Sequence, residues 1–290
     1  MTEHPRALEA QPRSGGGLFR ASWAAAWLEY KGLRLYPANL WLAAVQELTT
    51  VGVWYFVSLF LSPVANGVVA RYGGNYVAYV LIGVLLNQVA VAALNAPFRT
   101  LSEAFWDKRL ETYRLAVQGI WANLIGRLAW QVVFSTVLQG LAVVVLVATG
   151  LLPLAHQVDL VSVATAWLLL VLANAGLGLM GASLFFLLEV KKGQDPITWV
   201  YGYLIQIVTG LYIPVAVLPG WLAALGRVLP QTYAFHVMRL AMLAGAPVSS
   251  LTPALIGLAL GAVVTMGLGV GMMHWALRHA ERTAGLGVVV

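Results

Sequence analysis

Leu211 to Arg239 reads LYIPVAVLPGWLAALGRVLPQTYAFHVMR, and no ordinary soluble element accommodates it. The stretch is too apolar for a solvent-exposed loop. It is also too interrupted for one membrane helix, because Pro214, Pro219 and Pro230 each remove a backbone donor and restrict the residue before them. Trp221 and Tyr233 suit a membrane–water interface, and Arg227 and Arg239 are expected near water. The stretch therefore predicts a helix that stops at Pro214 and then re-enters the membrane partway. Two short helices are expected between Pro219 and Arg239, followed by a turn at Gly245–Pro247. Non-helical backbone at membrane depth is tolerated where protein buries it or where it lines a wet cavity. Such a hairpin is a gate, or else a short interfacial cap on a bundle.

The rest of the chain agrees with a membrane setting. Hydrophobic residues make up 60% and charged residues 10%, where soluble domains carry about 45–50% and about 25%. Six spans are expected, each near the ~20 residues that cross ~30 Å of hydrocarbon. They run approximately 40–61, 76–94, 124–148, 160–188, 197–217 and 253–277. The fold class is thus an all-α integral membrane protein with six transmembrane helices and a re-entrant hairpin between spans 5 and 6. Residues 1–17 are expected to be a disordered tail without a cleavable signal, and residues 18–290 a single membrane domain. Leu18 to Tyr36 reads as a helix lying in the interface. Phe19, Trp23, Ala26, Trp27, Tyr30 and Leu33 share one face, bordered by Arg20, Lys31 and Arg34, and Glu29 falls on the far side. Pro37 ends it.

Lysine and arginine set the orientation. With both termini inside, Arg6, Arg13, Arg20, Lys31, Arg34, Arg99, Lys108, Arg109, Arg114, Arg127, Lys191, Lys192, Arg278 and Arg282 collect on the inner side. Only Arg71, Arg227 and Arg239 fall outside. This bias explains the net charge of +6 better than nucleic acid does. The largest inner loop, 96–123, carries Thr100 and Glu103 at capping-box spacing, so a short helix is expected to start there. Glu103, Trp106, Asp107, Lys108, Arg109, Glu111 and Thr112 give it a mixed-charge face, suited to a cytosolic partner or simply to solvent.

Within the spans, Glu47 lies about two turns into the first. A lone carboxylate there costs roughly 2.5–3.5 kcal/mol on insertion scales. It should face the bundle interior or a cavity, in contact with substrate or a neighbouring helix, or tied to Arg127. Asn87, Gln88, Asn95, Gln131, Gln139, Asn174, Gln206 and Thr209 are expected mainly to bond across helices. Trp54, Tyr55, Phe56 and Tyr212 are candidates for a pathway lining. The small-residue pairs Gly257/Gly261, Gly267/Gly271 and Gly178/Ala182 predict close helix contacts.

Several chemistries are missing from the pattern. No Lys follows a Gly, so there is no G-x-x-x-x-G-K-[ST] phosphate loop. There is no H-E-x-x-H and no G-x-S-x-G. Cysteine is absent, and the five histidines suit no metal site.

The order of elements resembles the ABC type-2 exporter permeases. The local likeness runs from Gly210 to Gly245 and rests on Gly210, Pro214, Leu218, Pro219, Leu229, Pro230, Thr232, Tyr233 and Arg239. The inner loop departs from the family pattern, since Lys108-Arg109-Leu110-Glu111-Thr112 lacks the Gly of its Gly-Thr pair and Val117-Gln118-Gly119 lacks the Pro of its turn. The resemblance implies a permease subunit in the cytoplasmic (inner) membrane, both termini cytoplasmic. It would pair with a second copy or a homologous permease and with a separate ABC ATPase subunit. ATP and Mg would sit on that partner, with no cofactor and no nucleic acid on this chain. Glu103 to Thr112 would then couple to the ATPase. Leu211, Tyr212, Ile213 and Pro214 would form an outer gate, and Glu47, Trp54, Tyr55, Gln206 and Thr209 would face the pathway. The cargo would be an amphipathic drug, an antibiotic or a lipid, or else a lipid-linked polysaccharide. Outside this class stand an ion-coupled secondary transporter using Glu47 and a membrane-embedded lipid enzyme.

Overall fold

The computed structural model describes residues 15–109, 119–187 and 196–283, and every regular element among them is helical. In chain order these are α1 (Gly15–Leu35), α2 (Pro37–Ala65), a 3-10 segment (Asn66–Tyr72), α3 (Tyr76–Trp106), α4 (Gly119–Ala148), α5 (Leu160–Leu187), α6 (Pro196–Val208), a 3-10 turn (Val215–Val217), α7 (Gly220–Val228), α8 (Pro230–Leu243) and α9 (Val248–Thr283). Five helices are long and apolar enough to cross a membrane: α2, α3, α4, α5 and α9. The sixth expected span falls short. α6 has 13 residues and rises only about 20 Å, against the ~30 Å of a hydrocarbon core.

α3 is the central element. Asn75 caps it, its side chain accepting from the Ala78 N–H at 3.0 Å, and most of its length is buried. α2, α4, α5 and α8 pack around it, and α9 lies along α5. One main apolar core joins α3, α5 and α8, including Leu81, Leu170 and Phe235. By contrast, α2 buries only Glu47, Val51 and Ser58 and shows its other faces to the surroundings.

Two expectations about α3 are corrected. The span does not stop near Leu94, since the helix continues through Pro97 to Trp106. Thr100 and Glu103 consequently start no new helix. Thr100 lies mid-helix and bonds back to the Ala96 carbonyl at 2.8 Å. The capping-box spacing S/T-x-x-E is satisfied equally by two residues on adjacent turns of a helix already under way.

α1 agrees with the sequence on its aromatic side. Phe19, Trp23 and Trp27 are exposed, while buried Ser22 and Ala25 press on α4 at Gly126. A Cβ there would lie 2.3 Å from the Ser22 carbonyl oxygen, so the glycine sets the approach of the two helices. Pro37 occupies the first turn of α2, where its missing donor costs nothing.

The small-residue pairs divide. Gly178 sits against the Leu94 backbone, and Gly257 and Gly261 admit Tyr233 and Pro230 of α8. Gly267 and Gly271 have open space around them, so this pair makes no close crossing among the described residues. The tightest crossing is one the spacing did not single out. A Cβ on Gly269 would lie 2.1 Å from the Gly176 carbonyl oxygen, and this is where α5 and α9 meet.

Candidate functional site

Lysines and arginines separate along the bundle. At one end, the C-terminal end of α3 meets the N-terminal end of α4, and Trp121 of α4 packs on His274 of α9 at 4.7 Å. Arg20, Lys31, Arg34, Arg99, Lys108, Arg109, Arg127 and Arg278 belong to the elements of this basic end. At the other end, the hairpin end, the 3-10 segment, α7 and α8 carry only Arg71, Arg227 and Arg239.

Between these ends a cavity of about 240 Å³ opens among α2, α3 and α4. Its polar lining is Gln46, Glu47, Gln88, Asn95, Gln131 and Gln139, joined by Ser135 and Arg99. Glu47 is only 8% exposed. Its Oε2 accepts from the Gln139 amide at 2.9 Å and from Gln88 at 3.5 Å. Oε1 is buried without a protein partner. The carboxylate therefore faces a cavity, as expected, but it is not tied to Arg127. Arg127 instead joins Glu29 at 2.8 Å and also bonds Glu103, and Arg99 reaches Glu103 at 3.4 Å. This cluster links α1, α3 and α4 at the basic end. Glu29 thus lies on the docking face of α1.

Of the coupling residues assigned from sequence, Glu103 and Trp106 to Arg109 are described and lie at this same end. α3 finishes at Trp106, and Lys108 takes the left-handed conformation, φ 58°, with the Arg109 N–H returning to the Ala104 carbonyl at 2.8 Å. That turn closes the helix as a C-terminal glycine usually does. Asp107 and Arg109 form an exposed pair at 3.6 Å, which contributes little to stability and leaves both groups at the surface. Glu111 and Thr112 lie outside the described residues.

The hairpin end differs from its sequence reading in one central respect. The apolar segment breaks at Val208, six residues before Pro214, and Gly210 carries φ +83°. Arg239 explains the break. Instead of reaching water it is 1% exposed. Its guanidinium donates to the carbonyls of Tyr79 at 2.9 Å, Gly210 at 2.7 Å and Leu211 at 2.7 Å. It also lies 3.5 Å from the Tyr79 ring centroid, and the Tyr79 hydroxyl donates to the Gly210 carbonyl at 2.7 Å. Backbone acceptors released by the broken helix are thus taken up by one side chain from α8, the satisfaction that buried irregular backbone requires. A second tie runs deeper. Tyr201 of α6 bonds Gln231 of α8, whose amide donates to Asn174 of α5.

The gate residues separate accordingly. Leu211 is 1% exposed and belongs to the main core, so it does not project toward a second chain. Tyr212 stacks on Trp54 of α2, ring centroids 3.9 Å apart. Ile213 is half exposed, and Pro214 precedes the 3-10 turn. Nor do the pathway residues converge. Glu47 lines the central cavity, Thr209 lines another at the hairpin end, Gln206 is exposed and lines neither, and Tyr55 packs against the main core. Phe56 is exposed to the surroundings. The ring of amides around Glu47 was open to sequence reasoning through helical spacing, since Gln131, Ser135 and Gln139 recur every four residues on one face of α4.

A multi-span helical bundle with a polar cavity among α2, α3 and α4 and an internally clamped break is consistent with an integral-membrane transport protein. Comparison with protein-family models and with curated proteins gives no match for the chain.

Proposed function

We propose that the chain is the transmembrane permease subunit of an ATP-driven exporter of the ABC type-2 kind. Two permeases work with two separate ATPase subunits, which hold the ATP and Mg. The chain lies in the cytoplasmic membrane with both termini cytoplasmic, and the cargo is an amphipathic or hydrophobic molecule. The observation that carries the reading is the pairing of opposite ends through α3. One end of this buried helix joins the charged cluster of Arg99, Glu103 and Arg127. The other end holds the broken segment through the Tyr79 carbonyl and hydroxyl. Force applied at Glu103–Arg109 travels along a rigid helix to the hairpin, and the carboxylate cavity lies beside its path. Work delivered this way needs no chain of ionisable relays, and Glu47 is the one carboxylate in the cavity.

The purified chain alone is expected to hydrolyse no ATP, and to gain turnover only when co-purified with a separate ATPase subunit. Robust hydrolysis by the lone chain in a phosphate-release assay contradicts the proposal. Charge reversal at Asp107 and Arg109 should uncouple hydrolysis from export in that complex while the bundle stays folded. Retained export at the wild-type ratio moves the coupling contact elsewhere.

Glu47 favours a second reading, an ion-coupled secondary transporter. Collapsing the proton gradient while ATP is maintained separates the two. Export that stops under those conditions supports ion coupling.

A further inference from the structure

The hairpin end holds three arginines, and all three line one cavity. Arg71 comes from the 3-10 segment, Arg227 from the last turn of α7 and Arg239 from α8. Tyr72, Tyr233 and His236 share the lining, and no Asp or Glu does. None of the three arginines has a carboxylate within salt-bridge distance among the described residues. We infer that this cavity is a binding site for a phosphate-class anion, a phosphate monoester or diester.

The arrangement is built rather than incidental. Arg239 forms part of the cavity wall and is 1% exposed. Its bonds go to neutral carbonyls, so its charge is solvated but not neutralised. Arg71 stacks over the Tyr72 ring at 4.7 Å, and its Nη2 reaches His236 Nδ1 at 3.2 Å. The Tyr72 hydroxyl meets the same Nδ1 at 2.9 Å. Two donors on Nδ1 leave the His236 proton on Nε2. With Nδ1 accepting from the Arg71 guanidinium, which can only donate, the imidazole is neutral and adds no charge of its own. Arg227 is exposed and its guanidinium has no ion pair among the described residues. Like-charged groups gathered from three elements repel, and the missing counter-charge is what an anion supplies.

Size and geometry narrow the class. The volume is about 260 Å³, below the roughly 300–1,000 Å³ of drug-sized pockets. Guanidinium forks match phosphate oxygens in bidentate fashion. The shared chemistry is a phosphate oxyanion, borne by a lipid headgroup or by a small free anion.

The test uses the full chain in detergent with two probes. Mixed micelles carry phosphatidylglycerol or phosphatidylcholine, and retained lipid is counted by mass spectrometry of the intact protein. Inorganic phosphate is titrated calorimetrically and as a competitor. Arg71→Gln/Arg227→Gln removes the two exposed guanidiniums and leaves the Arg239 clamp in place. Arg20→Gln/Arg278→Gln removes equal charge at the opposite end. Wild type and the opposite-end variant should hold phosphatidylglycerol or phosphate equally, and Arg71→Gln/Arg227→Gln should bind about tenfold more weakly while eluting as wild type does. Lipid retained against excess phosphate identifies a headgroup site, and displacement by phosphate identifies a small-anion site. Failure of both probes to bind wild type overturns the inference. Equal binding by Arg71→Gln/Arg227→Gln, or equal loss in the opposite-end pair, overturns it too. None of these outcomes bears on ATP coupling.

Discussion

Gly83→Ala is expected to unfold the hairpin end, although alanine normally favours a helix over glycine by about 0.8–1 kcal/mol. Gly83 lies within α3, where propensity alone would reward the change. A Cβ at this position, however, would lie 2.2 Å from Arg239 Nη2 and 2.8 Å from the Leu211 carbonyl oxygen. The guanidinium cannot step aside, because the Tyr79 ring covers it and three carbonyls fix its nitrogens. Moving it takes the donor from the buried Leu211 carbonyl and the acceptors from the buried guanidinium, at about 1–3 kcal/mol for each group. The net effect should be a loss of about 2–4 kcal/mol and a fall in Tm of about 5–15 °C. Gly140→Ala provides the contrast, since that glycine has open space and should be neutral or slightly stabilised. Arg239→Met should resemble Gly83→Ala. Arg239→Lys should recover only part of the loss, because an ammonium is a point charge that cannot span the three carbonyls. Equal melting of the Gly83→Ala and Gly140→Ala proteins in detergent would falsify the clamp.

The clamp also marks the limit of what the sequence revealed. Proline positions announced that 211–239 was discontinuous, and the two short helices and the turn at Gly245 follow from local rules. The position of the break does not. The helix stops at Val208, just before the left-handed Gly210, rather than at Pro214, and Arg239, 29 residues from Gly210, stabilises that residue and the carbonyls beside it. An arginine in an apolar context reads as a residue seeking water, and only the folded chain reveals carbonyls arranged to replace that water. Leu211 illustrates the same limit, since it belongs in the core once its carbonyl is held. At α3, the Thr100/Glu103 spacing suggested a start that the helix overrides. Glu47 was legible because a lone carboxylate in a span has few places to go. Its partners Gln88 and Gln139 were visible as polar residues, but which helices meet is a property of the packing.

The central cavity is expected to be wet, and thiol labelling can measure this because the chain contains no cysteine. A single cysteine introduced at Ser135 lines the cavity beside Gln131 and Gln139. Only the thiolate reacts, and it forms where water solvates it. The Ser135→Cys protein should therefore react with a water-soluble maleimide. Leu141→Cys, on the exposed side of the same helix, should resist in a bilayer, where its surroundings are hydrocarbon. Glu47 is the group expected to keep the cavity hydrated. Its Oε1 is buried without a protein partner, and so is Gln139 Oε1. A cavity large and polar enough supplies water to such atoms. In the Ser135→Cys background, Glu47→Gln preserves shape and acceptor and should leave the rate within about twofold. Glu47→Leu removes the acceptor and fills the space with hydrocarbon, so the rate should fall about tenfold or more. Thermal stability should fall with it, because the buried Gln139 amide loses its acceptor, a cost of about 1–3 kcal/mol. A rate unchanged by Glu47→Leu, or equal labelling of Ser135→Cys and Leu141→Cys, would mean that water does not enter beside Glu47. The polar ring would then be a structural tie between α2, α3 and α4, and the path of any cargo would have to be sought on the exposed faces of α2.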